Sequence, residues 1–198
     1  MKTRRCLVIL IVIAAILTAC VPADVATNAF TNEPSAPPAE TIPPPVDEAA
    51  PSKDVENGTY FIDGQPVTLV NGVAEHEATP GSGSRIITSY FGNEVEVDLN
   101  SDGLMDMAFL LQQENGGSSI FYYVTAAIQT ADGYMGTNAI FLGDRIAPQS
   151  TNIDLNNPSQ FVVNYVDRKE GEPMSSPPTE GASKTFKFEN DSLVEVTE

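Results

Sequence analysis

The sequence predicts a mainly β fold, an antiparallel sandwich or open barrel of about 8 to 11 strands. Three observations lead to this prediction. Apolar and polar residues alternate with a period of two along most of residues 55–198. Short pairs that contain Gly, Asn or Asp separate the alternating runs, as turns separate strands. No window of about ten residues shows the apolar spacing of an amphipathic helix.

The alternating runs end at turn pairs whose residues tolerate positive φ angles. Asn71-Gly72 predicts a tight hairpin, because this pair readily adopts a type I′ turn. Gly92-Asn93 predicts a turn between two strands, and Asp132-Gly133 predicts a second hairpin. Residues 170–183, rich in Pro, Gly and Ser, predict a long exposed excursion. The candidate strands, about 8 to 11 of which are expected to form, cover residues 59–62, 67–70, 73–77, 85–91, 94–99, 105–111, 120–130, 134–142, 145–153, 160–166, 185–188 and 193–196.

Two of these strands flank the most informative loop of the chain. In the first, alternation places Val95, Val97 and Leu99 on one face. The second alternates from Met105 onward, although Leu110 interrupts its pattern. The loop is therefore predicted to connect two strands rather than two helices.

Residues 1–19 have the composition of a bacterial signal peptide. Lys2, Arg4 and Arg5 form a cationic start. The apolar run that follows has about 11 residues, which is shorter than the roughly 20 needed to span a bilayer. We therefore expect these residues to be removed and to take no part in the fold.

The leader ends in Leu17-Thr18-Ala19-Cys20, with small residues before a cysteine. This segment resembles the lipobox of bacterial lipoprotein precursors. In that family the cysteine thiol takes a diacylglycerol, cleavage occurs before the cysteine, and the new amino terminus is often acylated. The resemblance implies that Cys20 carries acyl chains such as palmitate and holds the protein on the membrane. The alternatives are an ordinary secretory signal with a chance cysteine, or an uncleaved anchor.

The same resemblance implies a place in the bacterial cell envelope. Val21 stands after the lipobox cysteine, where an aspartate would favour retention at the inner membrane. If the cell has two membranes, the outer one is therefore favoured. The membrane contact is expected to be made through the amino-terminal lipid.

The charge balance excludes some classes of partner. The leader holds three of the ten Lys and Arg residues and none of the 27 Asp and Glu, so residues 20–198 carry 7 positive and 27 negative side chains, a net charge of −20. Such an acidic surface repels phosphate backbones and anionic headgroups, so no nucleic acid partner is expected. Cys6 leaves with the leader and Cys20 is used for lipid, so the mature chain can form no disulfide.

Residues 20–54 predict a disordered tether between the lipid and a single β-domain of residues 55–198. Residues 21–52 hold eight of the fifteen prolines and one aromatic residue, Phe30. Such a segment buries too little apolar surface to offset its ordering entropy. An alternative is that this segment is a ligand for an aromatic groove of another protein.

Residues 98–106, the aspartate loop, place oxygen side chains at ligand spacing. Gly103 takes the sixth position, where a sharp reversal favours a residue without Cβ, and the carbonyl group of Leu104 supplies a further ligand. Hard carboxylate and amide oxygens without His or Cys predict Ca²⁺. The side-chain ligands at positions 1, 3, 5 and 9 are Asp98, Asn100, Asp102 and Asp106.

The aspartate loop matches the first half of an EF-hand loop, but Phe109 stands where the bidentate glutamate belongs. The loop is more similar to the Asp-x-Asp-x-Asp-Gly-x-x-Asp loops of integrin-type FG-GAP and VCBS repeats. That resemblance implies a strand–loop–strand unit that holds calcium. Those families repeat the motif around a propeller, whereas this chain has one copy, so no propeller is predicted.

Electrostatic repulsion supports the calcium prediction. Two carboxylates about 5 Å apart, at an effective dielectric constant of about 20, repel by about 3 kcal/mol. Glu94 and Glu96 add to the negative field, and a divalent ion would offset it. The alternative is a metal-free turn in which Asp98 and Asn100 accept hydrogen bonds from the backbone as Asx turns.

Other polar residues carry weaker signals. His76, the only histidine, predicts a solvated residue on the outer face of a strand. Asp144-Arg145 and Asp167-Arg168 predict surface ion pairs worth under about 1 kcal/mol each. The sequence shows no phosphate-binding loop, dinucleotide fingerprint, nucleophile elbow or zinc spacing.

Two classes of function follow from these observations. The first is a membrane-anchored lipoprotein that displays a calcium-stabilised, non-catalytic β-domain, either to bind an unknown envelope protein or glycan or as a structural spacer. The alternative is a metal-dependent hydrolase of the cell envelope. Against the hydrolase, one set of loop carboxylates cannot both saturate calcium and serve as general acid and base. The sequence leaves the oligomeric state open.

Overall fold

The computed structural model describes residues 50–197, which form two β-sheets. A single 3-10 turn spans Val55–Asn57, and residues 50–197 contain no α-helix. The mainly β prediction is therefore confirmed, with twelve strands rather than 8 to 11. The strands are β1 Thr59–Ile62, β2 Gln65–Thr68, β3 Val73–Glu77, β4 Arg85–Val97, β5 Asp106–Glu114, β6 Ile120–Thr130, β7 Gly133–Gly136, β8 Asn138–Asp144, β9 Ala147–Ile153, β10 Gln160–Asp167, β11 Glu180–Glu189 and β12 Ser192–Glu195.

The predicted signal peptide, Cys20 and most of the predicted tether lie outside the described residues. Ser52 forms a β-bridge with Tyr134, three residues before the predicted domain start at Val55. In the part of the chain that the structure describes, no helix has the length and apolar character needed to cross a membrane.

The larger sheet has eight strands and is nearly closed into a barrel. Its strand order is β2-β1-β8-β6-β5-β4-β3, with β7 also paired to β6. All neighbours are antiparallel except β1 and β8. The two end strands, β2 and β3, meet only at the bridge between Val70 and Val73. The second sheet has the order β12-β11-β10-β9 and is antiparallel.

The turn at Asn71-Gly72 has the predicted positive φ angles of 51° and 79°. The hairpin it was expected to form is limited to one pair, in which Val70 and Val73 exchange hydrogen bonds of 2.9 and 3.3 Å. Beyond that pair the two strands separate, and β2 pairs with β1 while β3 pairs with β4. The local turn chemistry was therefore predicted correctly, but the strand pairing was not.

The predicted turn at Gly92-Asn93 is wrong. Both residues have positive φ angles, 88° and 56°, but β4 continues through them as one strand. The register with β5 shifts there, from Tyr90 opposite Leu111 to Val95 opposite Ala108. Because β5 pairs on both sides of the irregularity, the two residues form a bulge instead of reversing the chain.

Two further predicted elements differ from the structure. The Asp132-Gly133 hairpin is confirmed, but the strand after it divides into β7 and β8 at Thr137. The Thr137 Oγ1 atom accepts the N–H of Ala126 at 3.0 Å and replaces a ladder bond of the backbone. The predicted excursion at residues 170–183 is shorter, because β11 begins at Glu180.

The domain has two apolar clusters, and β5 and β6 belong to both. The inter-sheet cluster packs Ala108 and Leu110 against residues of the second sheet such as Phe161. The inner cluster, on the other face of the large sheet, contains Phe109 and Leu111. Since both faces of β5 are buried, consecutive apolar residues replace the alternation, which explains the interruption at Leu110.

The apolar face predicted for Val95, Val97 and Leu99 is confirmed, and it packs between the two sheets. Val97 and Leu99 are 1% and 4% exposed in the inter-sheet cluster, and Val95 packs against it. The strand that leads into the aspartate loop is thus fixed on its apolar face by the second sheet.

Arg168 occupies a different position from the one predicted. Its side chain is only 8% exposed and lies 3.8 Å from Asp167. The guanidinium group donates to three main-chain carbonyl groups, those of Ser176, Asp144 and Arg145, at 2.7, 3.2 and 3.1 Å. Arg168 therefore joins the β10–β11 connection to the β8–β9 turn, instead of forming a solvated ion pair.

Candidate functional site

The aspartate loop connects β4 to β5, as the sequence predicts. Ser101 and Gly103 have positive φ angles of 62° and 86°, which reverse the chain within a few residues. The Oγ atoms of Ser101 and Ser159 lie 3.1 Å apart, so the loop contacts the β9–β10 connection of the second sheet. The site is therefore held by both sheets.

Asp98 and Asn100 turn their oxygens toward the centre of the loop. The N–H of Asp102 donates to Asp98 Oδ1 and to Asn100 Oδ1, both at 3.1 Å. The N–H of Gly103 donates to Asp98 Oδ2, also at 3.1 Å. Two oxygens from different side chains thus meet at one backbone N–H.

Asp102 completes this network. Its Oδ1 atom accepts the N–H of Leu104 at 2.7 Å, and its Oδ2 atom accepts Asn100 Nδ2 at 2.9 Å. The Leu104 side chain is 42% exposed and leaves the loop on the solvent side. These bonds have the Asx-turn pattern considered above as the metal-free alternative.

Asp106 lies beneath the loop, at the first position of β5. It is fully buried, and its two oxygens accept the N–H groups of Leu99 and Gln129 at 2.9 and 2.8 Å. Burial raises the pKa of Asp106, the two backbone N–H groups oppose this effect, and the nearby carboxylates of Asp102 and Asp98 raise the pKa further. The pKa of Asp106 therefore reflects the closeness of the other two carboxylates, those of Asp98 and Asp102.

The structure brings Asp98, Asn100 and Asp102 into one network and places Asp106 behind them. Across residues 50–197, no three His, Cys, Asp or Glu side chains are gathered closely enough to hold a metal ion. An ionised carboxylate has about four lone-pair sites, so an oxygen that accepts one N–H can still accept a cation. The calcium site, including the Leu104 carbonyl, stays a prediction.

His76 is remote from the aspartate loop. It is paired with Ile86 near the start of β4, whereas the loop follows Val97 at the other end, on the order of 35 Å away along the strand. His76 shares a strand face with Ala74 and lines a cleft between β2 and β3. It is exposed as predicted, but it faces this cleft instead of the outer surface.

Two shallow clefts flank the aspartate loop. One of about 430 Å³ is lined by Asn100 together with Met135 and Phe188, and another of about 310 Å³ by Leu99 together with Ser159. Sequence reasoning missed Gln129 and Ser159, which hold the loop through contacts 23 and 58 residues distant. No local pattern in the sequence indicates either contact.

Comparison with protein-family models, with curated proteins and with solved structures finds no match to this chain.

Proposed function

We propose that the chain is a lipid-anchored protein of the bacterial cell envelope that displays a non-catalytic β-domain, with Ca²⁺ stabilising the aspartate loop. The observation that carries this proposal is the curled network in which Asp98, Asn100 and Asp102 direct oxygens to the centre of one strand connection. The lipid anchor is supported by the leader and Cys20 alone. The partner would be an envelope protein or a glycan.

The charge around the loop supports a cation. Asp98 and Asp102 both raise the pKa of Asp106, because their negative charges repel its ionised carboxylate. A divalent ion among them would reverse this effect. When bound, Ca²⁺ would supply positive charge and cross-link the loop, held by Asp98, Asn100, Asp102, Asp106 and the carbonyl group of Leu104.

Two observations favour this function over a metal-dependent hydrolase. Asp106 is fully buried and both its oxygens accept backbone N–H groups, so a substrate has no access to it. His76, the only histidine, lies on β3 opposite Ile86, at the end of β4 remote from the loop. A hydrolase would need an acid or base that can reach both the metal and a substrate.

We expect calcium to raise the melting temperature of the full chain in detergent micelles. At a free Ca²⁺ concentration of about 100 times the dissociation constant, the gain is about 2.7 kcal/mol. For a domain of this size the melting temperature rises by roughly 5–10 °C. Thermal unfolding followed by circular dichroism, in calcium and in chelator, measures the difference.

Asp102→Asn tests whether the loop is responsible, because it keeps the shape of the side chain and removes one charge. The matched control is Asp154→Asn, since Asp154 Oδ1 accepts the N–H of Asn156 at 2.9 Å in a similar turn of the second sheet. We expect the first variant to lose most of the calcium response and the second to keep it. Equal responses in both variants, or no calorimetric heat of binding in the unchanged chain, would refute the calcium site.

The lipid anchor has a separate test. We expect Cys20→Ser to abolish acylation in a bacterial host, because the serine hydroxyl cannot replace the thiol as acceptor. Intact-mass spectrometry of the membrane fraction should show the acyl mass on the unchanged chain and no acyl mass on the variant. Cys6→Ser, which alters the leader and leaves the lipobox intact, is the control. Acylation that persists in Cys20→Ser would contradict the proposal.

A further inference from the structure

The large sheet is open between its end strands. After the Val70–Val73 bridge, β2 and β3 diverge and leave a cleft of about 500 Å³. Residues of both strands line this cleft, along with the β1–β2 turn and the start of β4. It is larger than either of the two clefts beside the aspartate loop.

Both strands direct unused backbone groups into the cleft. Val73 bonds to Val70 on the β2 side, where the two strands meet, and Ala78 donates to Ser84 on the β4 side. Since hydrogen-bonding direction alternates along a strand, the N–H and C=O groups of Glu75 and Glu77 point away from β4 into the cleft. By the same alternation Thr68 faces the cleft from β2, because Leu69 donates to Gly58 on the β1 side.

The rim and floor of the cleft differ in chemistry. The carboxylates of Glu75 on β3 and Asp63 in the β1–β2 turn line the cleft. Glu77 lies beyond them on the same face of β3 and accepts the N–H of Gly81 at 2.8 Å. A basic side chain near this rim, Arg85, is already 3.3 Å from Glu75. The floor is mainly apolar, formed by the partly buried Ala74 and Ile86 and the buried residues Ile62 and Val67, with the polar side chains of His76 and Gln113 beside them.

We propose that this cleft binds an extended basic segment of another protein, which adds to β3 as a further strand. Its backbone would pair with Glu75 and Glu77, as peptides add to exposed sheet edges in known recognition modes. Basic side chains at alternate positions would meet the acidic rim, and small apolar side chains between them would face the floor. This site is separate from the aspartate loop and does not depend on calcium.

Two other occupants fit the cleft less well. The chain's own residues 21–52 have five acidic and no basic side chains, and their eight prolines lack the N–H groups that pairing requires. A second copy would bring another acidic edge, in a chain whose residues 20–198 carry seven basic and 27 acidic side chains. Like charges across the interface disfavour that pairing.

The test uses three synthetic peptides and the full chain in detergent micelles at low salt. The first alternates Lys and Val over eight residues, the second alternates Glu and Val, and the third is the Lys–Val peptide with alternate amides N-methylated. We expect the Lys–Val peptide to bind at least tenfold more tightly than either of the others in calorimetry. Its binding should also slow hydrogen exchange at the amides of Glu75 and Glu77 in NMR spectra.

Matched variants locate the site. Glu75→Gln removes one charge and one surface ion pair, and we expect it to weaken the Lys–Val peptide about threefold to tenfold. Glu189→Gln likewise removes one charge and one ion pair, that with Lys187 in the second sheet, and should leave binding unchanged. Peptide binding that both variants weaken equally would show attraction to the whole acidic surface and overturn the proposal.

The remaining outcomes also decide the question. Equal binding of the Lys–Val peptide and its N-methylated form would overturn strand addition. Slow exchange at Glu75 and Glu77 without peptide would assign the cleft to this chain itself: to a second copy if the protection grows with protein concentration, or to the tether if it does not. Either result would overturn the proposed partner.

Discussion

Arg168→Ala should lower the free energy of unfolding by about 3 kcal/mol and the melting temperature by roughly 6–12 °C. The substitution removes the guanidinium group that donates to three main-chain carbonyl groups, and hydrogen bonds with a charged donor contribute about 1.5–3 kcal/mol each. Water replaces part of this loss, because the surrounding main chain is only partly buried. The remaining loss is large for one side chain outside both apolar clusters.

Arg145→Ala is the matched control for this prediction. Arg145 carries the same charge and lies 3.3 Å from its partner Asp144, but its buried Nε atom makes no hydrogen bond. We expect a loss of under about 1 kcal/mol. Arg168→Lys should recover less than half of the loss, because an ammonium group cannot reach three divergent carbonyl groups. Chemical denaturation of the three variants compares them, and equal losses for the two alanine variants would contradict the assigned role of Arg168.

Asp106→Ala should destabilise the domain by about 3 kcal/mol in the presence of chelator. The substitution leaves the N–H groups of Leu99 and Gln129 without acceptors in a site where Asp106 is fully buried. An unsatisfied buried donor costs about 1–3 kcal/mol. Removal of a desolvated charge that Asp98 and Asp102 repel returns part of this cost.

Denaturation in chelator and in calcium separates the structural role of Asp106 from metal binding. Asp106→Asn keeps one acceptor oxygen and should lose about half as much as the alanine variant. If the aspartate loop binds Ca²⁺, the deficit of both variants will increase when calcium is added, because only the unchanged chain is stabilised. A deficit below about 0.5 kcal/mol in chelator would show that the two buried hydrogen bonds contribute little.

Local features of this fold could be predicted from the sequence. Period-two alternation placed β1, β3 and β6 at their observed bounds, and the Asp132-Gly133 hairpin formed as expected. Positive φ angles were correctly predicted at Asn71 and Gly72. These features depend on the conformational preferences of neighbouring residues, which a single sequence contains.

Features that depend on distant pairing could not be predicted. The same pair of positive φ angles reverses the chain at Asn71-Gly72 and only forms a bulge at Gly92-Asn93, because β5 spans the second pair. The burial of Arg168 depends on carbonyl groups 23 and 24 residues earlier in the chain. An Asp-Arg pair has the same sequence whether it is solvated or enclosed.

The aspartate loop shows the same division. Its curl and the inward oxygens of Asp98, Asn100 and Asp102 follow from local spacing and from Gly103. The burial of Asp106 beneath the loop depends on Gln129, which only the β5–β6 pairing brings near. Spacing alone therefore predicted four side chains in one set, whereas the structure has three of them in the loop and one behind it.

The position of β5 has a consequence for how the domain melts. Phe109 and Leu111 pack into the inner cluster, while Leu110 between them packs into the inter-sheet cluster. Disorder on one side of this strand would move its backbone and open the other side. The two layers therefore constitute one cooperative unit, and a ligand that clamps either the aspartate loop or the open edge would protect the whole domain from unfolding.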